Sequence, residues 1–501
     1  MTIGFGWSLD FLGARRAVLA LLVALLAGIV GQAGFAGTTR AAAYDPVGDP
    51  NSMDSVTKAL GAQAWWSAGY TGRGVDVALI DTGCAMIQGL NYPNKIIQGP
   101  DLSLESQSST LRSLDTNGHG SVMAGLIAAN DAGNGVVNPN PGTYRGMAPD
   151  ARIVCLKVAT ADGGVDVSQV IAAIDWVVQH RTDNGLNIRI LNLSYGTNST
   201  QPYTIDPLAY AAEQAWKHGI FVVAAAGNSG YQKGTGAPGL ASPAYDPYLM
   251  AVGATTKNSG SFGKGPHDSL ETMAKFSASG PGCSGCRNPD AVVPGAHLQG
   301  LRVPGSFVDL ASPAALPNER FLRGSGTSEA TAIVSGAAAL VLQKYPSLTP
   351  DALKLFLTSG TVKVTGSDDK AQGKGRINLA PLLARTPTGT TQRFTAASGK
   401  GSLDVSRGDD HLTRDGVVLR GEKDIFGHAF VASGMAAREA GATAWNGGAW
   451  NGNSWSGNSW SGNSWSGNSW SGNSWSGNSW SGNSWSGNSW SGNSWSSDSW
   501  Q

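Results

Sequence analysis

Hydrophobic and polar positions in the middle of the chain follow two patterns, short unbroken apolar runs and longer stretches with helical spacing. Runs of five to seven mostly apolar residues are typical of strands that are buried on both faces of a parallel sheet. The runs predict five such strands, which are Val75–Ile80, Arg152–Val158, Ile188–Leu193, Ile220–Ala226 and Tyr248–Val252.

Two other stretches are typical of amphipathic helices. Apolar residues recur at intervals of three and four from Val167 to Val178, and either Asp166 or Ser168 can cap the start. The same spacing continues from Ala330 to Leu342 and stops before Pro346. Strands and helices that alternate along a chain predict an α/β fold with a parallel central sheet.

The beginning of the chain has a different composition. Arg15 and Arg16 precede an apolar run of 14 residues, Ala17–Val30, and small residues follow at Ala41–Ala43. This pattern is typical of a signal peptide, here residues 1–43, and the arginine pair also fits twin-arginine export. An uncleaved membrane anchor is the alternative, but it needs about 20 apolar residues. We therefore predict a secreted, extracellular protein.

The end of the chain is a repeat of low complexity. Twelve of the 17 tryptophans recur every five residues from Trp445 to Trp500, mostly in the unit Trp-Ser-Gly-Asn-Ser. In an extended strand this period places successive tryptophans on opposite faces, so no one-sided core is expected. Residues 445–501 are a flexible tail, a stacked coil with a five-residue turn, or a row of indole rings that stack on cell-wall polysaccharide. The preceding residues 385–444 are predicted to be a linker or a small accessory segment.

Charge and cysteine content exclude some functions. The chain has 35 basic and 35 acidic residues, so no net charge favours binding to nucleic acid. Its four cysteines are too few for a disulfide-built scaffold. Cys283 and Cys286 have the spacing of half a zinc site, but no second ligand pair matches. A disulfide is therefore favoured over a metal at that pair.

Candidate chemistry lies where the predicted strands end and the predicted helices begin. Asp81 ends the first strand, and Asn228 follows the fourth. His119 lies in Asn-Gly-His-Gly-Ser and Ser328 in Gly-Thr-Ser-Glu-Ala, each at the start of an apolar helix. Strand ends and helix starts share one edge of a parallel sheet, so these residues can converge. An acyl-transfer hydrolase needs these four residue types: an acid, a base, a nucleophile and an oxyanion donor.

Asp81, His119 and Ser328, in this order, resemble the catalytic motifs of the subtilisin family of serine peptidases, across a predicted domain of residues 54–384. A short segment, residues 44–53, would precede that domain. Further motifs that resemble the family are Gly69–Gly72, Ala148–Ala151, Leu191–Gly196, Pro294–Gly295 and Gly373–Asn378. The resemblance implies a subtilisin-like three-layer sandwich with a mostly parallel central sheet. It also implies an endopeptidase that acts on proteins or peptides without a cofactor.

The resemblance assigns a role to each candidate residue. Ser328 attacks the scissile carbonyl, His119 relays the proton, Asp81 orients the imidazole, and Asn228 donates to the oxyanion. Two edges bind the peptide backbone as an extra strand. Their residues are Gly163, Gly164, Ser194, Tyr195 and Gly196.

Two pairs of residues depart from the family pattern or leave alternatives open. Leu90 and Ala132 stand where relatives often have calcium ligands, and neither side chain can coordinate, so we expect no metal there. Cys84 and Cys155 lie on elements that are neighbours in the family's sheet, and form either a disulfide or two buried thiols.

Glu329 replaces the methionine that usually follows the nucleophile in this family. If its carboxylate faces the site, it favours protonated His119 and raises the pKa of that imidazole. If it points to solvent, it has no effect. Glu329 is also the only feature that favours a rival function, a cell-surface or wall-binding protein built on a decayed peptidase scaffold.

Overall fold

The computed structural model describes residues 44–133, 135, 140–230, 239–257, 271–280, 287–311, 319–414 and 417–454. The predicted signal peptide, Cys283, Cys286 and the repeat from residue 455 onward lie outside these ranges. In the described ranges, none of the helices has the length and apolar character needed to cross a membrane.

Strands of the body form one large sheet and one small one. Their bounds are β1 Asp76–Asp81, β2 Ile96–Asp101, β3 Arg152–Lys157, β4 Ile188–Leu193, β5 Phe221–Ala225, β6 Met250–Lys257, β7 Glu271–Met273, β8 Ala291–Pro294, β9 Leu298–Leu301, β10 Phe321–Gly324, β11 Thr361–Val362 and β12 Arg376–Ile377. The large sheet has the order β11-β12-β8-β6-β5-β4-β1-β3-β2, and β7 pairs with β6. All of its pairings are parallel except β6 with β7 and β11 with β12. The five predicted strands are present as β1, β3, β4, β5 and β6.

Helices cover both faces of this sheet. Their bounds are α1 Met53–Ala59, α2 Ala62–Ser67, α3 His119–Ala128, α4 Val167–His180, α5 Pro207–Lys217, α6 Phe307–Ala311, α7 Thr327–Lys344, α8 Pro350–Ser359, α9 Asp369–Gln372, α10 Leu403–Ser406 and α11 Ala432–Ala440. Helices α4 and α5 pack together on one side, and α3 packs with α7 on the other. The predicted α/β three-layer sandwich with a mostly parallel sheet is confirmed.

Strand β1 is the point at which the strand order reverses. It lies between β3 and β4, and the chain fills the sheet on one side of β1 before it returns to the other. Such switch points leave a crevice at the carboxyl ends of the strands, where ligands bind in open α/β sheets. Asp81, the last residue of β1, therefore lies where the topology favours a site.

The described residues between 385 and 444 are folded onto the body. The Ala397 N–H donates to the buried Glu213 carboxylate on α5 at 2.7 Å, and the Tyr210 hydroxyl donates to the Ala436 carbonyl at 3.0 Å. A short hairpin, β13 Thr413–Arg414 with β14 Val417–Val418, lies within this segment. The packed part of the chain continues past residue 444, into the first repeats.

The first two tryptophans of the repeat are buried against α4. Three two-residue strands follow one another here, β15 Trp445–Asn446, β16 Ala449–Trp450 and β17 Asn453–Ser454. The Trp445 indole N–H donates to the Ala172 carbonyl at 2.8 Å, and that of Trp450 donates to the Asp175 carboxylate at 2.7 Å. These ten residues therefore pack as part of the body.

Trp445 and Trp450 lie on the same face of this small sheet, contrary to the expectation of opposite faces. They are direct cross-strand partners, and such partners share a face. Gly447 and Gly448 form the two-residue turn between them with φ of 58° and 83°, which glycine adopts without strain. The turn reverses the chain, so the simple alternation along one extended strand does not apply.

Candidate active site

Asp81 and His119 meet at the edge of the sheet where β1 ends and α3 begins. The His119 Nδ1 lies 2.8 Å from the Asp81 Oδ1, and both side chains are buried. The Thr82 N–H donates to the same oxygen at 2.7 Å. Gly120 permits this approach, because a Cβ there would lie 2.1 Å from the Gly83 carbonyl oxygen.

Asp115 supports this pair and was missed by the sequence analysis. Its carboxylate accepts hydrogen bonds from the Thr82 hydroxyl at 2.7 Å and from the Gly118 N–H at 2.8 Å. It also accepts from the N–H and the hydroxyl of Ser121, at 2.8 and 2.6 Å. Asp115 thereby joins the turn after β1 to the first turn of α3. The signal for it was an acidic residue just before a predicted helix start.

Ser328 is the second residue of α7 and contacts the end of β4. Its hydroxyl donates to the Ser194 carbonyl at 3.2 Å, and the Ser194 hydroxyl donates to the Ser328 carbonyl at 3.1 Å. His119 begins α3, which packs against α7. The structure therefore brings Ser328 against the predicted substrate edge, and the helix that carries it against the helix that carries His119.

Asn228 is fixed next to Ser328 by Thr327. The Asn228 Oδ1 accepts from the Thr327 N–H and from the Thr327 hydroxyl, each at 2.9 Å. The Gly227 N–H donates to the same hydroxyl at 3.1 Å. Because the Asn228 Oδ1 is held by Thr327, the Nδ2 of the same amide points away from Thr327. The Ser328 N–H lies in the first turn of α7, where N–H groups have no acceptor within the helix.

The residues of the two predicted substrate edges, Gly163, Gly164 and Ser194–Gly196, are all buried in the structure. The Tyr195 side chain is only 1% exposed, so it cannot reach a bound peptide. The loop at Gly163 and Gly164 is closed by two backbone hydrogen bonds, from Gly163 to the Thr160 carbonyl and from Thr160 to the Gly164 carbonyl. The Gly163 N–H and the Gly164 carbonyl are therefore already hydrogen-bonded within this loop.

Cys84 and Cys155 form a disulfide, which settles the two alternatives. Cys84 follows β1 and Cys155 lies in β3, so the bond ties the turn after Asp81 to the neighbouring strand. Among the described residues, no group of three or more His, Cys, Asp or Glu side chains could hold a metal ion.

Glu329 is buried beside the catalytic candidates and does not point to solvent. Its side chain is 0% exposed, and neither carboxyl oxygen has a hydrogen-bond partner within the described part of the chain. Loss of hydration raises the pKa of Glu329 to about 7, although attraction to His119 acts in the opposite direction. The alternative in which Glu329 points to solvent is therefore wrong.

His119 is surrounded by three carboxyl groups. Burial alone lowers the pKa of His119, but the Asp81 charge and hydrogen bond, together with the charges of Glu329 and Asp115, raise it above its ordinary value. Asp81 comes from β1, Asp115 from the loop before α3, and Glu329 from α7. All three favour the protonated imidazole.

Removal of the Glu329 charge should move the acid limb of the activity profile to lower pH. A protonated His119 cannot accept a proton, and without Glu329 the imidazole loses its proton at lower pH. In Glu329→Gln, we expect the acid limb of kcat/KM to shift down by roughly half a unit to one unit. Glu439→Gln, at a buried carboxyl on α11, is the matched control and should leave the limb in place. An unmoved limb in Glu329→Gln would contradict the assignment.

Comparison with known proteins shows the family to which the chain is similar. The model of the subtilase family matches residues 72–375. Serine protease AprX of Bacillus subtilis is 34% identical over 332 residues, which are 65% of this chain and 70% of that protein. Subtilisin BL of Lederbergia lenta is 32% identical over 317 residues, 63% of this chain and 93% of the relative. A solved structure of sphericase matches with a TM-score of 0.48 and 25% identity, over 62% of this chain and 92% of that chain.

The family match spans more than half of the chain and includes the residues from Asp81 to Ser328. The chain therefore belongs to the subtilase family and is a subtilisin-like serine endopeptidase.

Proposed function

We propose that this chain is an exported endopeptidase in which Asp81, His119 and Ser328 form the catalytic triad and cleavage proceeds through an acyl-enzyme. The observation that carries the proposal is the buried contact of 2.8 Å between the His119 Nδ1 and the Asp81 Oδ1. This contact orients the imidazole, and leaves its other nitrogen, Nε2, as the proton acceptor for a nucleophile.

The substrate binds by its backbone before any bond changes. A peptide adds as an extended strand between the edge at Gly163 and Gly164 and the edge at Ser194–Gly196. The Ser328 hydroxyl then turns from the Ser194 carbonyl to the His119 Nε2. Catalytic hydrogen bonds of this kind commonly tighten only when substrate is bound.

Acylation follows from this arrangement. The Ser328 Oγ attacks the scissile carbonyl while the His119 Nε2 takes its proton, and Asp81 stabilises the imidazolium. The Asn228 amide and the Ser328 N–H donate to the oxyanion of the tetrahedral intermediate. His119 then protonates the leaving amine, the peptide bond breaks, and the acyl part stays on Ser328. Water, deprotonated by His119, releases the acid product and restores the serine.

Export is supported by the predicted signal peptide and by the disulfide between Cys84 and Cys155. Disulfides persist in oxidising compartments outside the cytoplasm and are rare within it. We therefore place the enzyme outside the cell, where its substrates are proteins or peptides.

Labelling by a fluorophosphonate probe tests the function directly. We expect the folded protein to be labelled on Ser328 and the label to be absent from Ser328→Ala. Ser335→Ala, at another buried serine of α7, is the matched control and should still be labelled. If the folded wild-type chain takes no label, the result favours the wall-binding protein with a decayed scaffold.

The tryptophan repeat is proposed to bind cell-wall polysaccharide. Trp445 and Trp450 are buried in the body and cannot take part, so the proposal concerns the ten tryptophans from Trp455 to Trp500. Indole rings stack on sugar faces, and many weak contacts add through multivalency. Residues 455–501 carry a single charged side chain, Asp498, so binding should not depend on salt.

A pull-down on purified cell wall at low and high salt separates the two interpretations of this repeat. We expect the full chain to be retained under both conditions, and a chain truncated after Ser454 to be lost. The truncated chain keeps the packed residues of the repeat, so it controls for the stability of the body. Equal recovery of the two chains would contradict polysaccharide binding.

A further inference from the structure

A segment from the C-terminal part of the chain, Ser406–Leu412, lies across the ends of both predicted substrate edges. We call it the strap. On the β4 edge, the Thr197 hydroxyl donates to the Ser406 carbonyl at 2.6 Å. Gly408 packs directly on Asn198, the residue after Thr197. A Cβ on Gly408 would lie 2.6 Å from the Asn198 carbonyl carbon. The strap therefore touches this edge at two consecutive residues.

The strap also contacts the opposite edge. The Arg407 guanidinium lies 2.6 Å from the carboxylate of Asp166, which caps α4 two residues after Gly164. Leu412 is 2% exposed, and its Cδ2 lies 3.4 Å from the place that a Cβ on Gly164 would occupy. Ser406–Leu412 thus joins the two edges to each other.

Arg407 holds the strap firmly in place. Its side chain is fully buried, and besides Asp166 it donates to Asp404, at 3.2 Å, and to the carbonyls of Gly421 and Lys423, at 2.9 and 2.5 Å. A buried guanidinium with several partners is costly to expose, because every lost partner leaves a buried charge uncompensated. We therefore expect the strap to stay in place when substrate binds.

The strap lies at a definite distance from the nucleophile. The Ser194 carbonyl contacts the Ser328 hydroxyl, and Thr197 and Asn198 follow Ser194 by three and four residues. An extended chain advances about 3.3 Å per residue, so a peptide paired with this edge reaches the strap at about its third or fourth residue. The part of the substrate that stays bonded to Ser328 is the acyl part, so we place it along the edge that Ser328 contacts.

Part of the space beside the strap is filled by the protein, and a cavity of about 550 Å³ remains there, lined by residues that include Asn198, Gly408 and His411. The phenol of Tyr195 is buried and lies close enough to Asp410 and Arg407 to respond to their charges. Leu412 fills the position next to Gly164. We propose, on the basis of the proposed function, that the strap is a specificity-determining segment. It closes the acyl side of the groove and takes up the space that would otherwise bind a bulky side chain at the fourth residue before the scissile bond.

Peptide anilides test this assignment. Two tetrapeptide anilides share the three residues that precede the scissile bond. They carry either Ala or Phe as the fourth residue before that bond. For the wild type, we expect kcat/KM to differ less than about twofold between them, because Leu412 occupies the space next to Gly164 in which the ring would be buried. Leu412→Ala opens that space, and should favour the Phe substrate by about tenfold. A tenfold preference for Phe in the wild type, or an unchanged ratio in Leu412→Ala, would overturn the proposal.

Two controls separate this effect from loss of structure. Leu403→Ala removes another buried leucine, at the start of α10, and should leave the substrate ratio unchanged. Thermal unfolding of both variants shows whether they are equally folded. If Leu412→Ala is less stable than Leu403→Ala, Leu412→Val is used in its place. If no substrate is turned over by the wild type, the proposed function fails. In that case the Kd values of the Ala and Phe peptides are compared instead of their kcat/KM values, and their ratio still decides the role of the strap.

Discussion

Replacement of Ser328 by Ala will lower kcat for a peptide amide by about a million-fold, and His119→Ala will do so by a similar factor. These magnitudes are known for a subtilisin and are carried over from that relative. The reason is that, in the proposed mechanism, both residues act in one proton transfer, from the Ser328 Oγ to the His119 Nε2. Steady-state kinetics on a chromogenic anilide at the pH optimum measures the effect.

The triad variants should also be strongly non-additive. Ser328→Ala combined with His119→Ala is expected to be no slower than either single variant, because the first change already abolishes the shared step. Asp81→Ala should cost less, about 10⁴-fold, since Asp81 orients the base without bonding to substrate. Circular dichroism shows whether each variant is folded. Near-native turnover by folded Ser328→Ala would refute the assignment of the nucleophile.

Asn228→Ala will lower kcat by about a hundred- to a thousand-fold and change KM little. This range is also known for a subtilisin and is carried over from it. In the proposed mechanism, the Asn228 amide meets negative charge that exists only in the tetrahedral intermediate, so its loss should affect the chemical step more than binding. Separate determination of kcat and KM over a range of substrate concentrations measures both effects.

A second variant distinguishes the donor role of Asn228 from a positioning role. Asn228→Ala also removes the acceptor for the Thr327 N–H and hydroxyl, which could displace the start of α7. Asn228→Asp keeps an oxygen for Thr327 but has no N–H to donate. We expect both variants to be slow. Recovery of activity in Asn228→Asp would show that Asn228 acts by holding Thr327.

The sequence predicted the contact between Asp81 and His119 because each residue occupies the boundary of an element with a strong pattern. A buried strand ends at Asp81, and an apolar helix begins at His119. In a parallel sheet these boundaries meet at one edge, so topology brings together residues 38 positions apart. Asp115 was missed because it lies in a loop, where no periodicity marks a buried carboxylate.

Other features depended on packing that no local pattern contains. The strap contacts the substrate edges from more than 200 residues away along the chain, as in the pair of Arg407 with Asp166. Residues 385–444 are rich in small and polar residues, which is as typical of a linker as of a segment held by specific hydrogen bonds. Such bonds depend on geometry rather than on composition.

The sequence by itself determined the α/β class, the order of the catalytic motifs and the edge of the sheet at which they meet. These follow from hydrophobic periodicity and from residue types at element boundaries, which are local properties. Only the tertiary structure decided that Glu329 is buried beside His119, that Cys84 and Cys155 are bonded, and that Trp445 and Trp450 share one face. Burial, desolvation and cross-strand pairing depend on which distant residues pack at a position, and a linear pattern does not specify them.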